Sequence, residues 1–331
     1  SLDWNKSTDT TSNNVISNIM EGLTEYNLSD PKLSLKPALA TEWIPSNNAK
    51  TWTITLRKGV KWTDGKEFVA QHVVDSWERL LSPAAACDYA YFLYGVKNGR
   101  PYSQGKIKDF SQVGVRADGD YKLIVDLERP MSYFPYLLTH HSTYPIRKDV
   151  IAKHGDDKWT KPGNIVTLGA FTLKEWVHDK ALVMARNEAY YGEKPHIKNV
   201  LGHMIIEETT AINLFNAGKL DAQDPLPGSQ MDALRDRPEF KKVNSLLMYY
   251  YGFNVRKKPF DNVWMRKAVA TAIDRNQLVR VLNGGQLPMT SWIPDGLLGY
   301  DPQRGLKFNP EQARQFMKKA GYADGSKVPR I

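Results

Sequence analysis

The chain has a single cysteine, Cys87, in 331 residues. That excludes an intrachain disulfide and any cysteine-based zinc cluster. Cys87 sits in AAACDYA, with no motif around it, and reads as a buried, idle thiol. No run approaches the ~18 consecutive apolar residues that a membrane helix requires. The start, SLDWNKSTD, has neither a basic nor an apolar leader region, so no signal peptide is visible, and a processed chain would look the same. Catalytic signatures are missing as well: there is no GxGxxG, P-loop, HExxH or GxSxG. His140 and His141 are adjacent, so on a strand they would face opposite ways and on a helix they would not share a face. Five further histidines are scattered, and no carboxylate spacing marks an acid–base pair. The expectation is a protein that is not an enzyme and holds no cofactor and no metal.

What is present is a chain with 41% hydrophobic and 24% charged residues and a formal charge of +9. Single cores stop growing near roughly 250–300 residues, so at least two lobes are expected. The basic residues are interspersed with 36 acidic ones and never form a block of five, which reads as general basicity rather than a nucleic-acid footprint. Internal repeats and low-complexity tracts are absent.

Residues 51–65, TWTITLRKGVKWTDG, pose the sharpest question, because their tryptophans and basic residues could form a polyanion surface. The alternation of Trp52, Ile54 and Leu56 with polar residues is instead that of a half-buried strand. Lys58-Gly59 and Asp64-Gly65 make turns, Val60 and Trp62 resume the alternation, and VAQHVVDSWERLL follows as an amphipathic helix. A helix is predicted over 14–23, and Pro31 and Pro37 bracket a loop. A hairpin turns at 118–120, a helical piece covers YFPYLLTHH, and GAFTLKEWVHDKALVMARN gives two strands. A helix ending at Gly218 leads into a short strand, LLMYYYGFNV reads as a strand, and residues 260–283 read as one long helix capped by Asp261. The last helix has Asn309 as N-cap, Pro310 at its first position and Gly321 after its end. Strands and helices mix without regular alternation, which indicates an α/β class.

The order of these motifs resembles the periplasmic oligopeptide-binding proteins, the family 5 solute-binding components of peptide ABC transporters. The resemblance runs almost end to end, through SLDW…NIMEGL, PALATEW, TWTITLRKGVKWTDGKEFVAQHVVDSW, LTHHSTYPI, KWTKPGNIVTLGAFTLKEW, NAGKLDA, YYYGFNVRKKPFDNVWMRKAVATAIDR and EQARQFMKKAGY. It implies a bilobal α/β periplasmic-binding-protein fold (type II, cluster C) with an extra inserted domain. Lobe I would take 1–24 and 148–250, the inserted domain 25–147, and a third part would begin at 251 and run to 331, incomplete relative to the family. Tyr249 and its two neighbours would be strand and hinge packing.

The resemblance also implies a site. Thr8, Asp9, Thr10 and Thr11 match the piece that pairs with a peptide main chain as an added strand. Tyr89 matches a cleft tyrosine, and Asp224 a polar main-chain contact, although members often carry amides there. Each has a plainer alternative: a solvated loop, packing within YAYF, and a turn before Pro225. An aspartate for the peptide amino terminus is expected beyond Ile331. The implied partners are a short peptide ligand and a membrane ABC permease, with no nucleic acid and a monomeric state. The implied location is the periplasm, or the cell surface as a lipoprotein in a Gram-positive source. The alternatives are a specialised binder of murein peptide, haem or glutathione, or a basic polyanion-binding surface protein.

Overall fold

A computed structural model describes residues 1–30, 32–243, 246–297, 299–323, 325 and 328–329; Pro31 lies outside them. The chain divides into two compact units, Ser1–Met204 and Ile205–Ile331. This boundary falls earlier than position 250, where the resemblance ends lobe I.

In the first unit, Asp9 is extended (φ −109°, ψ 150°) and its carboxylate accepts the Ser12 N–H at 2.7 Å. That cap starts helix α1 (Thr10–Ile19) four residues ahead of the predicted start, and Val15, Ile16 and Ile19 form its buried stripe. Strands β1 (Thr24–Tyr26) and β2 (Leu35–Pro37) pair antiparallel. They are followed by β3 (Ala40–Ser46) and β4 (Thr51–Leu56), where the predicted alternation holds: Trp52, Ile54 and Leu56 are buried. Gly59 and Gly65 take φ of 75° and 87°, the left-handed region in which glycine carries no steric cost. Val60 and Trp62 are buried between these turns, but a lone bridge, Lys61 to Glu67, stands where a second strand was predicted.

Helix α2 (Ala70–Leu81) turns Val73, Trp77, Leu80 and Leu81 inward. After α3 (Gly99–Ser103), the hairpin of β5 (Val115–Ala117) and β6 (Lys122–Asp126) completes an antiparallel sheet of order β3-β4-β6-β5. The predicted helical piece YFPYLLTHH shortens to α4 (Phe134–Leu137), followed by a separate 3-10 turn, His141–Thr143. Then come α5 (Lys148–His154) and an antiparallel sheet of β7 (Phe171–Val177), β8 (Ala181–Arg186) and β9 (Asn199–His203). One continuous apolar core runs from Leu2 to Met184, so the segment 25–147 shares it with both flanking segments. Cys87 is buried and free, and burial pushes its thiol up to about 11, as an idle thiol requires.

The second unit holds α6 (Glu208–Asn216), α7 (Met231–Leu234), α8 (Val263–Ala272), α9 (Arg275–Leu282) and α10 (Pro310–Lys319). The long helix predicted over 260–283 is broken in two. Asp274 accepts the Asn276 and Gln277 N–H groups at 2.9 and 3.1 Å, so it caps a new helix rather than continuing the old one. The cap of α8 is Asn262, not Asp261. Asn309 and Gly321 behave as predicted at the two ends of α10. The strands predicted after Gly218 and over 246–255 are irregular, and Tyr249 and Tyr251 are exposed rather than packed. Among the described residues no neighbouring strand in this unit takes up their backbone hydrogen bonds.

Candidate functional site

The N-terminal segment leaves the core at Ser7, which is 2% exposed, and Thr8, Asp9, Thr10 and Thr11 are all exposed. Thr8 and Asp9 precede the helix, whereas Thr10 and Thr11 form the first turn of α1. Thr10 and Thr11 are therefore helical rather than extended, because the Asp9 cap commits the following residues to helical dihedrals. Among the described residues, neither the N–H nor the C=O of Thr8 is hydrogen bonded, which leaves these two backbone groups available to an added strand. Asp9 itself is occupied: burial pushes its carboxyl up, the Ser12 hydrogen bonds pull it down further, and the net effect is a lowered pKa.

Beside this segment lies a cluster of rings. His141 Nε2–H donates to the Ser7 carbonyl at 3.0 Å. The His141 ring stands edge-on to Tyr89, centroids 5.8 Å apart, and leans on His140 at 4.3 Å. His140 in turn stacks on Phe92 at 4.2 Å and stands edge-on to Tyr89 at 4.8 Å. Tyr89 is half-buried, on the 3-10 turn Asp88–Leu93. His141 thus connects the Ser7 carbonyl, one residue before Thr8, with Tyr89, and its neighbour His140 packs on the same tyrosine. Adjacent residues share a side here because His140 caps a 3-10 turn while His141 begins it, a geometry that neither strand nor helix periodicity anticipates. Ser142 N–H donates to His140 Nδ1 at 3.3 Å. Burial pushes His140 down to about 4, with the neighbouring His141 adding to the shift. Burial also lowers His141, against the opposing pull of the Ser7 carbonyl and Asp9. Both rings are therefore neutral at pH 7, and the cluster offers aromatic faces and a main-chain edge rather than charge.

Asp224 belongs to the second unit and is exposed before Pro225. Its neighbour Gln223 lines a cavity of about 260 Å³ walled by Ile212, Phe215, Leu226, Leu234 and Phe240, while Asp224 does not line it. Among the described residues no group of three or more His, Cys, Asp or Glu side chains is arranged to hold a metal ion.

The model of the family described as "Bacterial extracellular solute-binding proteins, family 5 Middle" matches residues 34–330. The chain belongs to this family. Its relatives include the periplasmic oligopeptide-binding protein OppA of Escherichia coli K12, 35% identical over 97% of this chain and 61% of that one. Among solved structures, the Escherichia coli murein tripeptide binding protein MppA matches with a TM-score of 0.88 and 32% identity, over 98% of this chain and 65% of that one. The Haemophilus influenzae OppA complex with RPPGFSPFR matches with a TM-score of 0.83 and 32% identity, over 97% of this chain and 64% of that one. The mixed α/β solute-binding fold expected from the motifs is therefore the fold of this chain. The chain spans about 61% of the length of the curated relatives it matches.

Proposed function

We propose that this family 5 chain is part of an extracytoplasmic receptor that captures short peptides and delivers them to an ABC permease in the membrane, without performing chemistry on them. The observation that carries this reading is the unpaired N–H and C=O of exposed Thr8, next in the chain to the carbonyl that His141 holds, in a chain whose relatives are named oligopeptide-binding proteins. A ligand strand added at Thr8 and Asp9 would gain main-chain hydrogen bonds that every peptide can supply, so affinity would depend little on peptide sequence. Tyr89 would close one side of the peptide path, and Asp224 would supply a polar main-chain contact. The three-part division into 1–24 with 148–250, 25–147 and 251–331 belongs to the same proposal, as do a monomeric state and a periplasmic or lipoprotein-anchored location.

The test is native mass spectrometry of the full-length protein after gentle purification. Adducts with the masses of short peptides are expected, together with a rise in melting temperature in a mixture of tri- to pentapeptides. A clean ligand-free mass with no thermal shift would overturn the reading.

A further inference from the structure

The peptide-receptor reading leaves one buried contact without a role: the bond from His141 Nε2–H to the Ser7 carbonyl, 3.0 Å long. Ser7 is 2% exposed and its hydroxyl is buried without a partner, so nothing in its own side chain fixes the backbone there. Among the described residues, the His141 bond is the one hydrogen bond that the Ser7 carbonyl makes. A trans peptide is planar, and its C=O and the following N–H point in opposite directions. Holding the Ser7 carbonyl inward therefore turns the Thr8 N–H outward, onto the exposed side of the segment. The ring that holds it is itself wedged between Tyr89 and His140, at 5.8 and 4.3 Å.

We propose that His141 is a positioning residue of the ligand site: by anchoring the Ser7 carbonyl it aims the Thr8 N–H at the backbone carbonyl of a bound peptide, and its ring sets the orientation of Tyr89. It acts through these two groups and does not touch the ligand. The anchor needs an N–H donor at Nε2 and a flat group against Tyr89, and charge plays no part. This rests on the peptide-receptor reading for the identity of the ligand, while the aim of the Thr8 N–H is a property of the chain alone.

The test compares the full-length protein with His141→Leu, which loses the donor, and His141→Gln, whose side-chain N–H can reach the same carbonyl. In the ligand-free protein, the ¹⁵N order parameter of Thr8 should fall from the rigid value of about 0.85 to below about 0.6 in His141→Leu and stay high in His141→Gln. Calorimetric titration with tri-alanine should show binding weakened about tenfold in His141→Leu, the size of one lost hydrogen bond, and largely restored in His141→Gln. An unchanged Thr8 order parameter in His141→Leu overturns the proposal, as does an equal loss of Thr8 order in both variants, which marks a packing role. If the unmodified protein ignores tri-alanine and longer peptides, the ligand reading fails, and the Thr8 measurement still decides the role of His141.

Discussion

Trp62 Nε1–H and the Val69 N–H both donate to one atom, His72 Nδ1, each at 3.2 Å. Accepting two donors at Nδ1 requires a neutral ring with its proton on Nε2, and protonation of Nδ1 would break both bonds. Burial pushes His72 down to about 4, helped by the Arg147 and Lys66 charges and opposed by Asp149 and Asp64. The folded pKa lies below the unfolded value of about 6.5, so the folded state resists protonation that the unfolded state accepts. The stability from His72 is thus fully present above about pH 6.5 and is lost as pH falls toward 4. Melting temperature recorded across that interval should decline in the native protein and decline less in His72→Gln, which keeps an acceptor but does not titrate. Since burial also holds His140 near 4, part of the decline persists in the variant. Parallel profiles for the two proteins would refute the role given to His72.

At the scale of elements, one close approach ties α1 to the strand that follows it in space. Gly169 N–H donates to the Ile19 carbonyl at 2.9 Å, and its own carbonyl accepts from Asn187 Nδ2 at 3.0 Å. A Cβ at this position would lie 2.6 Å from Met20 N, a backbone atom that cannot rotate away. Gly169→Ala should therefore destabilise the first unit by about 3 kcal/mol, the upper end of the usual overpacking cost. Gly59→Ala, with positive φ but open space around it, should cost only about 1 kcal/mol, from dihedral strain alone. Denaturant midpoints of the two variants decide the matter, and a Gly169 variant no weaker than the Gly59 variant would contradict it. This close approach leaves no trace in the sequence, whereas elements with their own local chemistry do. The alternation at 51–56 and the Asn309 and Gly321 ends of α10 were legible because period and capping are local properties. The break at Asp274 and the pairing of His140 with His141 were not, since a competing cap and a 3-10 turn override helical and strand periods. Of the site, Thr8, Asp9 and Tyr89 were legible only through family motifs, and the His141 link from Ser7 to Tyr89 carries no sequence signal, since it depends on the 3-10 turn at 141–143.

At the scale of the whole molecule, the two units differ in how much they bury. The first encloses five tryptophans, Trp4, Trp52, Trp62, Trp77 and Trp159, within a core that extends from Leu2 to Met184. In the second, the buried apolar residues among those described are Ala211, Ile212, Met231, Leu234, Met265, Ala268 and Ala313, at most two from any one helix and three of them alanines. Val243 (84% exposed), Tyr249 (88%) and Val281 (77%) meanwhile face solvent. Helices gain most of their stability from packing an apolar face, and α9 buries no residue at all. Local stability should follow this asymmetry. In this 331-residue chain, amides of α8, α9 and α10 should exchange with deuterium well before those of β4 and β6. Guanidinium unfolding should show two steps: an early one that exchanges second-unit amides and removes bound hydrophobic dye, and a later one that exposes the buried tryptophans. The early step should leave the Thr8–His141–Tyr89 arrangement intact, because its groups lie wholly in the first unit. A single transition in which tryptophan emission, dye binding and exchange of both units coincide would show that the chain unfolds as one body and would refute this asymmetry.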